Sequence, residues 1–339
     1  MSAKLIAVIG AGVAGLACAQ RLRQAGRHVV VFDKGRRPGG RVSTRRAGCV
    51  QFDHGAQFFT ARDPRFEAQT RRWEADGVVA KWAGPFATLT AGVRGDDPRP
   101  RAVRYVGVPG MSGVARALGG GVEVRSGARV ERVLRDDAGY LLTQRVSGAD
   151  NATREGPFDE VVVALPPSQA VDLLRDVGGA AYAEAARLSR ALLPSLCAMV
   201  AFEEPLAGAA GGMFVVGDEA LGWAAHDGGK PGRGGAPTYV LHGTAAWSMA
   251  NFQAPPETFA AELVQAFGRA LGRRERELPA PIYLAGHRWG FALADGDPPP
   301  AKFVAEPSGV SLCGDALGGG RVEGAYVSGL ELGDALLSR

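Results

Sequence analysis

The N-terminal segment combines continuous apolar runs with apolar positions at helical spacing. Residues 4–9 form a short apolar run that predicts a buried strand, and residues 10–15 form a glycine-rich turn. Apolar residues then recur at helical spacing over 13–25, and Gly26 supplies a signal for the end of a helix. Residues 28–33 are a second apolar run. This strand–turn–helix–strand order predicts the start of a doubly wound parallel sheet.

The rest of the pattern mixes amphipathic helices with alternating strands. Helices are expected at 64–76, at 113–118 with Ser112 as the N-cap, and at 168–190, 256–271 and 324–338. Strands are expected within 88–106 around a polar loop at 96–101, and at 122–125, 128–134, 140–145, 160–165, 195–202, 213–216, 221–226, 237–242 and 309–313, with a hairpin tip at 147–157. Parallel-sheet signals lie at both ends of the chain, and an antiparallel block lies between them. This predicts an α/β fold in which a discontinuous Rossmann-type domain (1–87, 119–167 and 285–339) carries an inserted domain of antiparallel sheet plus helices (88–118 and 168–284).

Composition narrows the class of protein. The 339 residues are 46% hydrophobic, enough for a substantial core, and the 4 cysteines form no C-x-x-C pair, which excludes a zinc ribbon or a disulfide-rich scaffold. The net charge of +4 is too small to indicate nucleic-acid binding, and it favours a small anionic ligand instead. The apolar N-terminus resembles a signal peptide, but its glycine spacing favours a nucleotide loop instead. We expect a cytoplasmic protein without a membrane span and with no metal, because no His, Cys or Asp cluster has ligand spacing.

The first glycine cluster fits a dinucleotide-binding fingerprint. Gly10, Gly12 and Gly15 match G-x-G-x-x-G between a predicted strand and a helix, and Asp33 lies at the end of the next strand. Gly10 permits the tight turn, Gly12 lets a pyrophosphate approach the backbone, and Gly15 lets the helix pack on the strand. The helix N-terminus offers free N–H groups to phosphates, and Asp33 can accept hydrogen bonds from a ribose.

Two further segments favour FAD over NAD. Gly39-Gly40-Arg41 follows Asp33, and Arg41 can neutralise a pyrophosphate. Near the C-terminus a strand is followed by Gly314-Asp315 and then by a glycine-rich turn that opens the last helix. Asp315 is expected near a ribityl or ribose hydroxyl, and the N-terminus of the helix is expected near the flavin. An elongated FAD would use all three segments, whereas NAD needs only the first.

The chain resembles the FAD-dependent amine-oxidase superfamily and is similar in particular to the bacterial renalases. The resembling stretches are GAGVAGL, DKGRRPGGRVSTRR, DHGAQFF, VPGMS, His242 with Trp247-Ser248, His287-Arg288-Trp289 and GDALGGGRVEGAYVSG. The resemblance implies non-covalent FAD between two domains. It also implies hydride transfer to flavin N5 from the 2- and 6-dihydro isomers of NAD(P)H, giving NAD(P)⁺, with O2 as acceptor and hydrogen peroxide as product.

One position distinguishes members of the superfamily. Amine oxidases carry an aromatic residue directly before the M/V-E-G-A step, and this chain has Arg321 there. A cation at that position would repel a protonated amine and favour an anionic or carbonyl-bearing substrate. An amine oxidase or desaturase acting on another small metabolite, and a non-catalytic flavoprotein, remain the alternatives.

The expected site residues fall into three groups. The coenzyme is expected to contact Gly10, Ala11, Gly12, Val13, Ala14, Gly15, Asp33, Lys34, Gly40, Arg41, Gly55, Ala56, Gln57, Phe58, Val130, Gly314, Asp315, Arg321, Val322 and Ala325. The residues expected to act on the substrate are Gln57, His242 and Arg321. The substrate pocket is expected to include Phe58, Phe59, Trp247, Arg288 as an anion contact, and Trp289. For the phenylalanines, His242 and Trp247, ordinary packing is an equal or stronger alternative. His54 is expected to support the flavin loop, and Cys313 is expected to be a small buried residue.

Overall fold

A mainly parallel sheet around β1 (Leu5–Ile9) forms one half of the computed structural model, which describes residues 4–149, 151–190, 192–273, 278–297 and 299–339. Within these residues its strand order is β19 (Phe303–Ala305), β20 (Val310–Cys313), β13 (Glu160–Val163), β1, β2 (His28–Asp33) and β9 (Glu123–Ser126). All neighbours are parallel except β19 and β20. Because β2 and β13 flank β1 on opposite sides, the strand order reverses at the carboxyl end of β1, where sheets of this class bind ligands.

Helices cover both faces of the parallel sheet. Alternate β1 residues, such as Ile6 and Val8, pack against α1 (Val13–Gln24), α3 (Ser112–Leu118) and α9 (Arg321–Leu337). The other face packs against a second group of elements, which are α4 (Pro167–Leu174), α5 (Gly179–Arg187) and a sheet of β10 (Ala128–Asp136), β11 (Gly139–Val146) and β12 (Thr153–Phe158). A Cβ at Gly329 of α9 would overlap the Ala14 carbonyl of α1, so this glycine sets how closely the two helices pack.

A second, larger sheet forms the other half, and we call it the cleft sheet. Over the described residues its order is β18 (Tyr283–Ala294), β14 (Leu192–Ala201), β17 (Thr238–Gly243), β16 (Leu221–His226), β15 (Gly212–Val215), β6 (Phe86–Thr90) and β7 (Val93–Gly95). Its pairs are antiparallel apart from β15 with β6. Leu196, Ala198 and Val200 of β14 point towards α6 (Ala245–Ala250) and α7 (Pro256–Ala270), so the intervening residues point the opposite way.

Short elements connect the two halves. They are the hairpin β3 (Arg45–Ala47) with β4 (Val50–Phe52), helix α2 (Pro64–Ala75), the pair β5 (Val79–Lys81) with β8 (Tyr105–Gly107), helix α8 (Asp315–Gly318), and single 3-10 turns at Gly40–Val42 and Asp227–Gly229. Among the described residues there is no helix with the length and apolar character needed to cross a membrane.

The architecture confirms the predicted fold class, and several local predictions need correction. The predicted boundary at residue 285 falls inside β18, a strand of the cleft sheet, whereas α3 packs on the parallel-sheet side against α1. The single helix predicted over 168–190 is two helices, because the chain turns at the N-cap and first residue of α5, Gly178 and Gly179, where φ is 64° and 82°. The predicted hairpin tip at 147–157 contains part of β12, with residue 150 outside the described residues. The last helix begins at Arg321 rather than 324, and Ser112 is the first residue of α3 rather than its cap.

Candidate active site

A long cleft lies between the carboxyl end of the parallel sheet and the inner face of the cleft sheet. It encloses about 2430 Å³, larger than the roughly 300–1,000 Å³ typical of small-molecule pockets, so it can hold a long coenzyme together with a substrate. Its walls come from segments far apart in the chain, namely the loop after β1, residues 33–37, 39–46 and 54–58, residues 128–131 of β10, the cleft sheet, and residues 314–315, 319–322 and 325. All three segments that the sequence assigns to the coenzyme therefore line one cavity.

The loop after β1 has the geometry that a pyrophosphate requires. Gly10 has φ of 110°, and a Cβ there would lie 2.6 Å from the Ala164 carbonyl oxygen. A Cβ at Gly15 would overlap the Gly10 carbonyl, which confirms that this residue serves helix packing and explains why it does not line the cleft. A Cβ at Gly12 would meet no protein atom within 4 Å, so this glycine leaves open space on the cleft side. Ala11 is buried, and its N–H is bound by Asp33, so Ala11 supports the loop and is absent from the cleft wall.

The N-termini of α1 and α9 open into the cleft without side-chain caps. The N-cap of α1 is Gly12, and the first turn of α1 contains no acidic residue. The N-cap of α9 is Gly320, with φ of 74°. The acid in the first turn of α9, Glu323, turns away and accepts hydrogen bonds from the backbone N–H groups of Arg62 and Asp63 at 2.5 and 2.7 Å. Free N–H groups and the positive end of each helix dipole are therefore available to an anionic dinucleotide, and the cleft fits FAD.

Asp33 and Arg41 combine expected ligand contacts with structural roles. The Asp33 carboxylate accepts hydrogen bonds from the N–H groups of Ala11 and Gly35, both at 2.6 Å, while still lining the cleft. Arg41 was expected to neutralise a pyrophosphate, but its charge is already paired, because its guanidinium binds both oxygens of Asp315 at 2.8 and 2.6 Å. The sequence predicts that Arg41 and Asp315 each contact a different part of the coenzyme. The ion pair instead joins the second and third coenzyme segments to one another.

A row of cleft-facing side chains crosses the cleft sheet. Phe214 is paired with Trp223, Trp223 with His242, His242 with Cys197, and Cys197 with His287, so these residues occupy the same face of five neighbouring strands. Two residues from Cys197 on β14 and from His287 on β18, Ser195 is paired with Trp289. Apart from buried Cys197, all of these side chains line the cleft opposite the coenzyme loops.

Gln57 and His242, expected to act on the substrate, are in direct contact. Gln57 Nε2 lies 3.2 Å from His242 Nε2, and His242 Nδ1 lies 3.3 Å from Ser195 Oγ. Burial and the Lys230 ammonium lower the pKa of His242 to about 4, although the Gly55 carbonyl and Asp227 oppose them. His242 is therefore a neutral imidazole at neutral pH.

A cluster of aromatic rings lies beside this pair. The rings of His54, His287 and Trp289 have centroid separations of 4.4–5.1 Å, and the Trp289 indole N–H donates to the His54 carbonyl at 2.7 Å. Burial and the neighbouring His287 and His242 lower the pKa of His54 to about 3. Burial and Arg45 lower the pKa of His287. This part of the cleft thus presents uncharged rings, and Trp289 lines it as predicted.

Behind Gln57 lies a buried ion cluster that we call the four-ion cluster, made of Asp53, Asp227, Lys230 and Arg233. Lys230 Nζ donates to Asp227 Oδ1 at 2.7 Å, and Arg233 binds both carboxylates. These side chains are at most 1% exposed. Burial raises the pKa of Asp227, but Lys230 and Arg233 outweigh it and hold this pKa below its usual value. Sequence reasoning missed the cluster. The regular three-residue spacing of Asp227, Lys230 and Arg233 in the glycine-rich segment 227–235 is the signal that could have drawn attention to it.

Two predicted pocket residues lie elsewhere. Phe59 is 3% exposed and packs against Phe66, Trp73 and Tyr105, so it belongs to the core, while Phe58 lines the cleft. Trp247 does not line the cleft, because it lies on the far side of the cleft sheet among the residues packed around α7.

The predicted anion contact Arg288 is also corrected. Arg288 lines the cleft as predicted, but its guanidinium donates to the backbone carbonyls of Phe252 and Ala254 and lies over the Phe259 ring, so two of its donors are used within the protein. The cleft-lining residues that sequence reasoning missed include Ser195, Phe214 and Trp223, which lie on the cleft sheet and are brought to its cleft face by strand register.

The fold and the cleft together define an FAD-dependent oxidoreductase. The sequence profile of flavin containing amine oxidoreductases matches residues 83–337, and that of an NAD(P)-binding Rossmann-like domain matches residues 8–73. The chain belongs to the flavin-containing amine oxidoreductase family, and its cofactor is FAD.

Solved structures of other proteins share this fold. A protoporphyrinogen oxidase-type structure from Exiguobacterium sp. 255-15 has a TM-score of 0.73 at 14% identity, with 100% of both chains covered. Putrescine oxidase bound to putrescine has a TM-score of 0.70 at 14% identity, with 99% of both chains covered.

Curated relatives match over short segments. Protoporphyrinogen oxidase 2 of Arabidopsis thaliana is 39% identical over 64 residues, and 4,4'-diapophytoene desaturase of Staphylococcus haemolyticus is 40% identical over 72 residues. These segments are 19% and 20% of this chain, but only 13% and 14% of the relatives' own lengths.

Proposed function

We propose that the protein oxidises the 2- and 6-dihydro isomers of NAD(P)H to NAD(P)⁺. In this reaction the substrate loses a hydride to N5 of bound FAD, and dioxygen takes up the two electrons as hydrogen peroxide. FAD supplies the redox chemistry, so the protein has to bind and orient the substrate and exclude water.

The distribution of charge along the cleft carries the proposal. Among the described residues four carboxylates line it, namely Asp33, Glu131, Asp172 and Asp315, and none of these four belongs to the cleft sheet. Asp315 is moreover paired with Arg41. Arg321, Arg45 and Arg46 also line the cleft, and Arg321 has no acidic partner among the described residues. This arrangement suits an anionic dinucleotide better than a protonated amine, for which a carboxylate is the natural partner.

The rings of the cleft sheet support a flat, uncharged reacting group. Phe58, Trp223 and Trp289 offer apolar faces on which a dihydronicotinamide can lie. His242 and Gln57 supply hydrogen-bonding groups without a fixed charge. Because the imidazoles are neutral, no group in this row has to lose a proton before a hydride donor is bound.

We further propose that FAD is held without a covalent bond. Cys313, the cysteine closest in sequence to Gly314-Asp315, is 1% exposed inside β20, and it does not line the cleft. Burial raises the pKa of its thiol to about 12, which suppresses the reactive thiolate. Denaturation is therefore expected to release all of the flavin.

The test is anaerobic mixing of the FAD-loaded protein with 2-dihydro-NAD(P) or 6-dihydro-NAD(P), followed through the flavin absorbance. Rapid bleaching by either isomer, slow bleaching by ordinary NADPH, and peroxide formation on admission of oxygen are expected. If neither isomer bleaches the flavin, the proposal is wrong.

The second candidate is oxidation or desaturation of an amine or another small metabolite. It is favoured by the family itself and by the end-to-end similarity to putrescine oxidase. Flavin reduction by a polyamine such as putrescine, with both dihydronicotinamide isomers inert, would select this function.

A further inference from the structure

The cleft carries more positive charge than FAD can balance. Among the described residues nine basic side chains line it, against four carboxylates. The basic residues are Lys34, Arg36, Arg37, Arg41, Arg45, Arg46, Arg129, Arg288 and Arg321. The excess is larger than the net charge of +4 of the whole chain, so the positive charge of the protein is concentrated in the cleft. Because the FAD pyrophosphate neutralises only part of it, charge remains for a second anionic ligand.

Position and pairing account for most of these cations. The segment 34–37 and residues 128–131 of β10 lie together at the end of the cleft where the coenzyme ribose is expected. The charge of Arg41 is paired with Asp315, and the Arg288 guanidinium donates to two backbone carbonyls. This leaves the two arginines of β3 and the arginine that begins α9.

The hairpin of β3 with β4 places Arg45 over the edge of the cleft sheet. Arg45 is paired with Phe52 across the hairpin, so the two side chains share one face. Phe52 is fully buried against the cleft sheet, and its ring stacks on Tyr283 of β18 with 5.2 Å between the centroids. Over the described residues β18 is an edge strand of that sheet, and Arg45 is exposed although it lines the cleft. Arg45 therefore lies at an opening of the cleft beside β18.

The charge of Arg45 acts on the substrate half of the cleft. Together with burial it lowers the pKa of His287, and it contributes to the low pKa of His54. Both imidazoles belong to the ring cluster with Trp289. In the part of the chain that the structure describes, the Arg45 guanidinium has no hydrogen-bond or ion-pair partner. Its donors are therefore free to bind a ligand that lies on these rings.

The coenzyme pyrophosphate is expected elsewhere. A Cβ at Gly40 would lie 3.5 Å from the Gly12 Cα, so the segment before β3 passes the N-terminus of α1 and its free N–H groups. From there the chain runs to β18, and Arg45 lies on this second stretch. A planar guanidinium at that place matches the phosphate of a second ligand, which it can bind through two parallel N–H groups.

We propose that Arg45 binds a phosphate of the substrate and thereby makes the protein selective for nucleotides over the free ring. The reacting ring then lies on the cleft-facing row, and the phosphates lie at the opening beside β18. The identification of this ligand with a dihydronicotinamide dinucleotide rests on the proposed function, whereas the phosphate site does not.

The first experiment measures the phosphate site without any redox chemistry. Binding of ADP to the FAD-loaded protein is followed by titration calorimetry. Arg45→Gln should bind ADP about tenfold more weakly, the effect of losing one charge-assisted contact in solvent, and its affinity for FAD should not change. The matched control is Arg99→Gln, because Arg99 is an exposed arginine at the opposite end of the row, 5.9 Å from the centroid of the Phe214 ring. Its affinity for ADP should stay within about twofold of that of the unaltered protein.

Four results of this titration would overturn the proposal. They are an unchanged affinity for ADP in Arg45→Gln, an equal loss in Arg99→Gln, a loss of FAD affinity in place of ADP affinity, and no binding of ADP to the unaltered protein. The third result would assign Arg45 to the coenzyme site, and the second would reduce its effect to the general field of the cleft.

The second experiment measures selection during the reaction. Anaerobic bleaching of the flavin is compared for 6-dihydro-NAD and for the 6-dihydro isomer of 1-methylnicotinamide, which has no phosphate. Arg45→Gln should raise the half-saturating concentration of 6-dihydro-NAD about tenfold and leave the limiting rate and the phosphate-free ring unaffected. An equal change for both compounds would show that Arg45 contacts no phosphate. If neither compound bleaches the flavin of the unaltered protein, the proposed function fails, and the binding of ADP alone decides the role of Arg45.

Discussion

The two halves of the cleft are built in different ways. The coenzyme half offers mainly backbone groups to the phosphates, since its surface includes glycine turns and the uncapped N-termini of α1 and α9. The substrate half uses side chains, since its surface is a row of rings and amides across the cleft sheet, supported by the four-ion cluster. Backbone recognition suits a phosphate-rich group common to many enzymes, whereas the side-chain row determines what is oxidised.

The halves also respond differently to a substitution. In the coenzyme half a new Cβ either overlaps the backbone, as at Gly15, or enters empty space, as at Gly12. In the substrate half a substitution leaves a buried partner unsatisfied, because each polar group there depends on another. Substitutions in the coenzyme half should mainly change the affinity for FAD. Substitutions in the substrate half should mainly change the stability of the fold and the selectivity for the substrate.

The largest expected effect is on the four-ion cluster. Lys230→Met leaves two buried carboxylates with Arg233 alone, and removing one partner of a buried ion pair costs about 3–5 kcal/mol. Urea denaturation of the FAD-loaded protein at neutral pH measures the loss. The matched control is Asp227→Asn with Lys230→Met, which leaves the balanced Asp53–Arg233 pair and should recover part of the stability. If the free energy of unfolding of Lys230→Met lies within 1 kcal/mol of that of the unaltered protein, the cluster does not stabilise this half of the cleft.

Acid should weaken the substrate half next. The pKa of His242 falls to about 4 on folding from an ordinary value of 6.5, chiefly because of burial and then Lys230. Between these values the unfolded chain binds the proton and the folded protein does not, so stability decreases as the pH falls. The loss amounts to about 3 kcal/mol for His242, and His54 adds to it in the same direction. Denaturation midpoints from pH 7 to pH 4 give the slope. His242→Asn should flatten it, and an equally steep slope in that variant would contradict the assignment.

Gly12→Ala tests the coenzyme half. The new Cβ meets no protein atom, so the stability of the FAD-free protein should not change. The methyl group occupies space left for the pyrophosphate, and losing a charge-assisted hydrogen bond corresponds to about 10- to 100-fold weaker FAD binding. Titration of the FAD-free protein with FAD measures this affinity. Gly15→Ala is the matched variant, because its Cβ overlaps the Gly10 carbonyl and should reduce stability itself. Unchanged FAD affinity in Gly12→Ala would mean that the phosphates lie elsewhere.

The same contrast explains which parts the sequence could predict. Gly10, Gly12, Gly15 and Asp33 lie within one strand–turn–helix–strand unit, so spacing alone determined their geometry. The row from Phe214 to His287 depends on the register of five strands separated by loops of unrelated length, which no local pattern encodes. For the same reason the local pattern predicts Trp247 in the pocket, although it packs on the far side of the cleft sheet. The pattern also does not show that Arg288, which lines the cleft, donates to two backbone carbonyls.

The smallest expected effect is at Arg321, where the two halves of the cleft meet. Arg321→Gln removes the charge, but the side chain is exposed, so solvent screens it and NAD⁺ binding should weaken by at most about fivefold. Binding of the neutral fragment nicotinamide should not change. Because exposed charges are screened by ions, raising the salt concentration to 0.5 M should reduce the difference between Arg321→Gln and the unaltered protein. An equal loss for NAD⁺ and nicotinamide would mean that Arg321 acts through the conformation of the helix start, where its φ of 66° is unusual, rather than through its charge. The reason for ranking amines below dihydronicotinamides would then be lost, and the charge distribution of the remaining cleft would have to support that ranking alone.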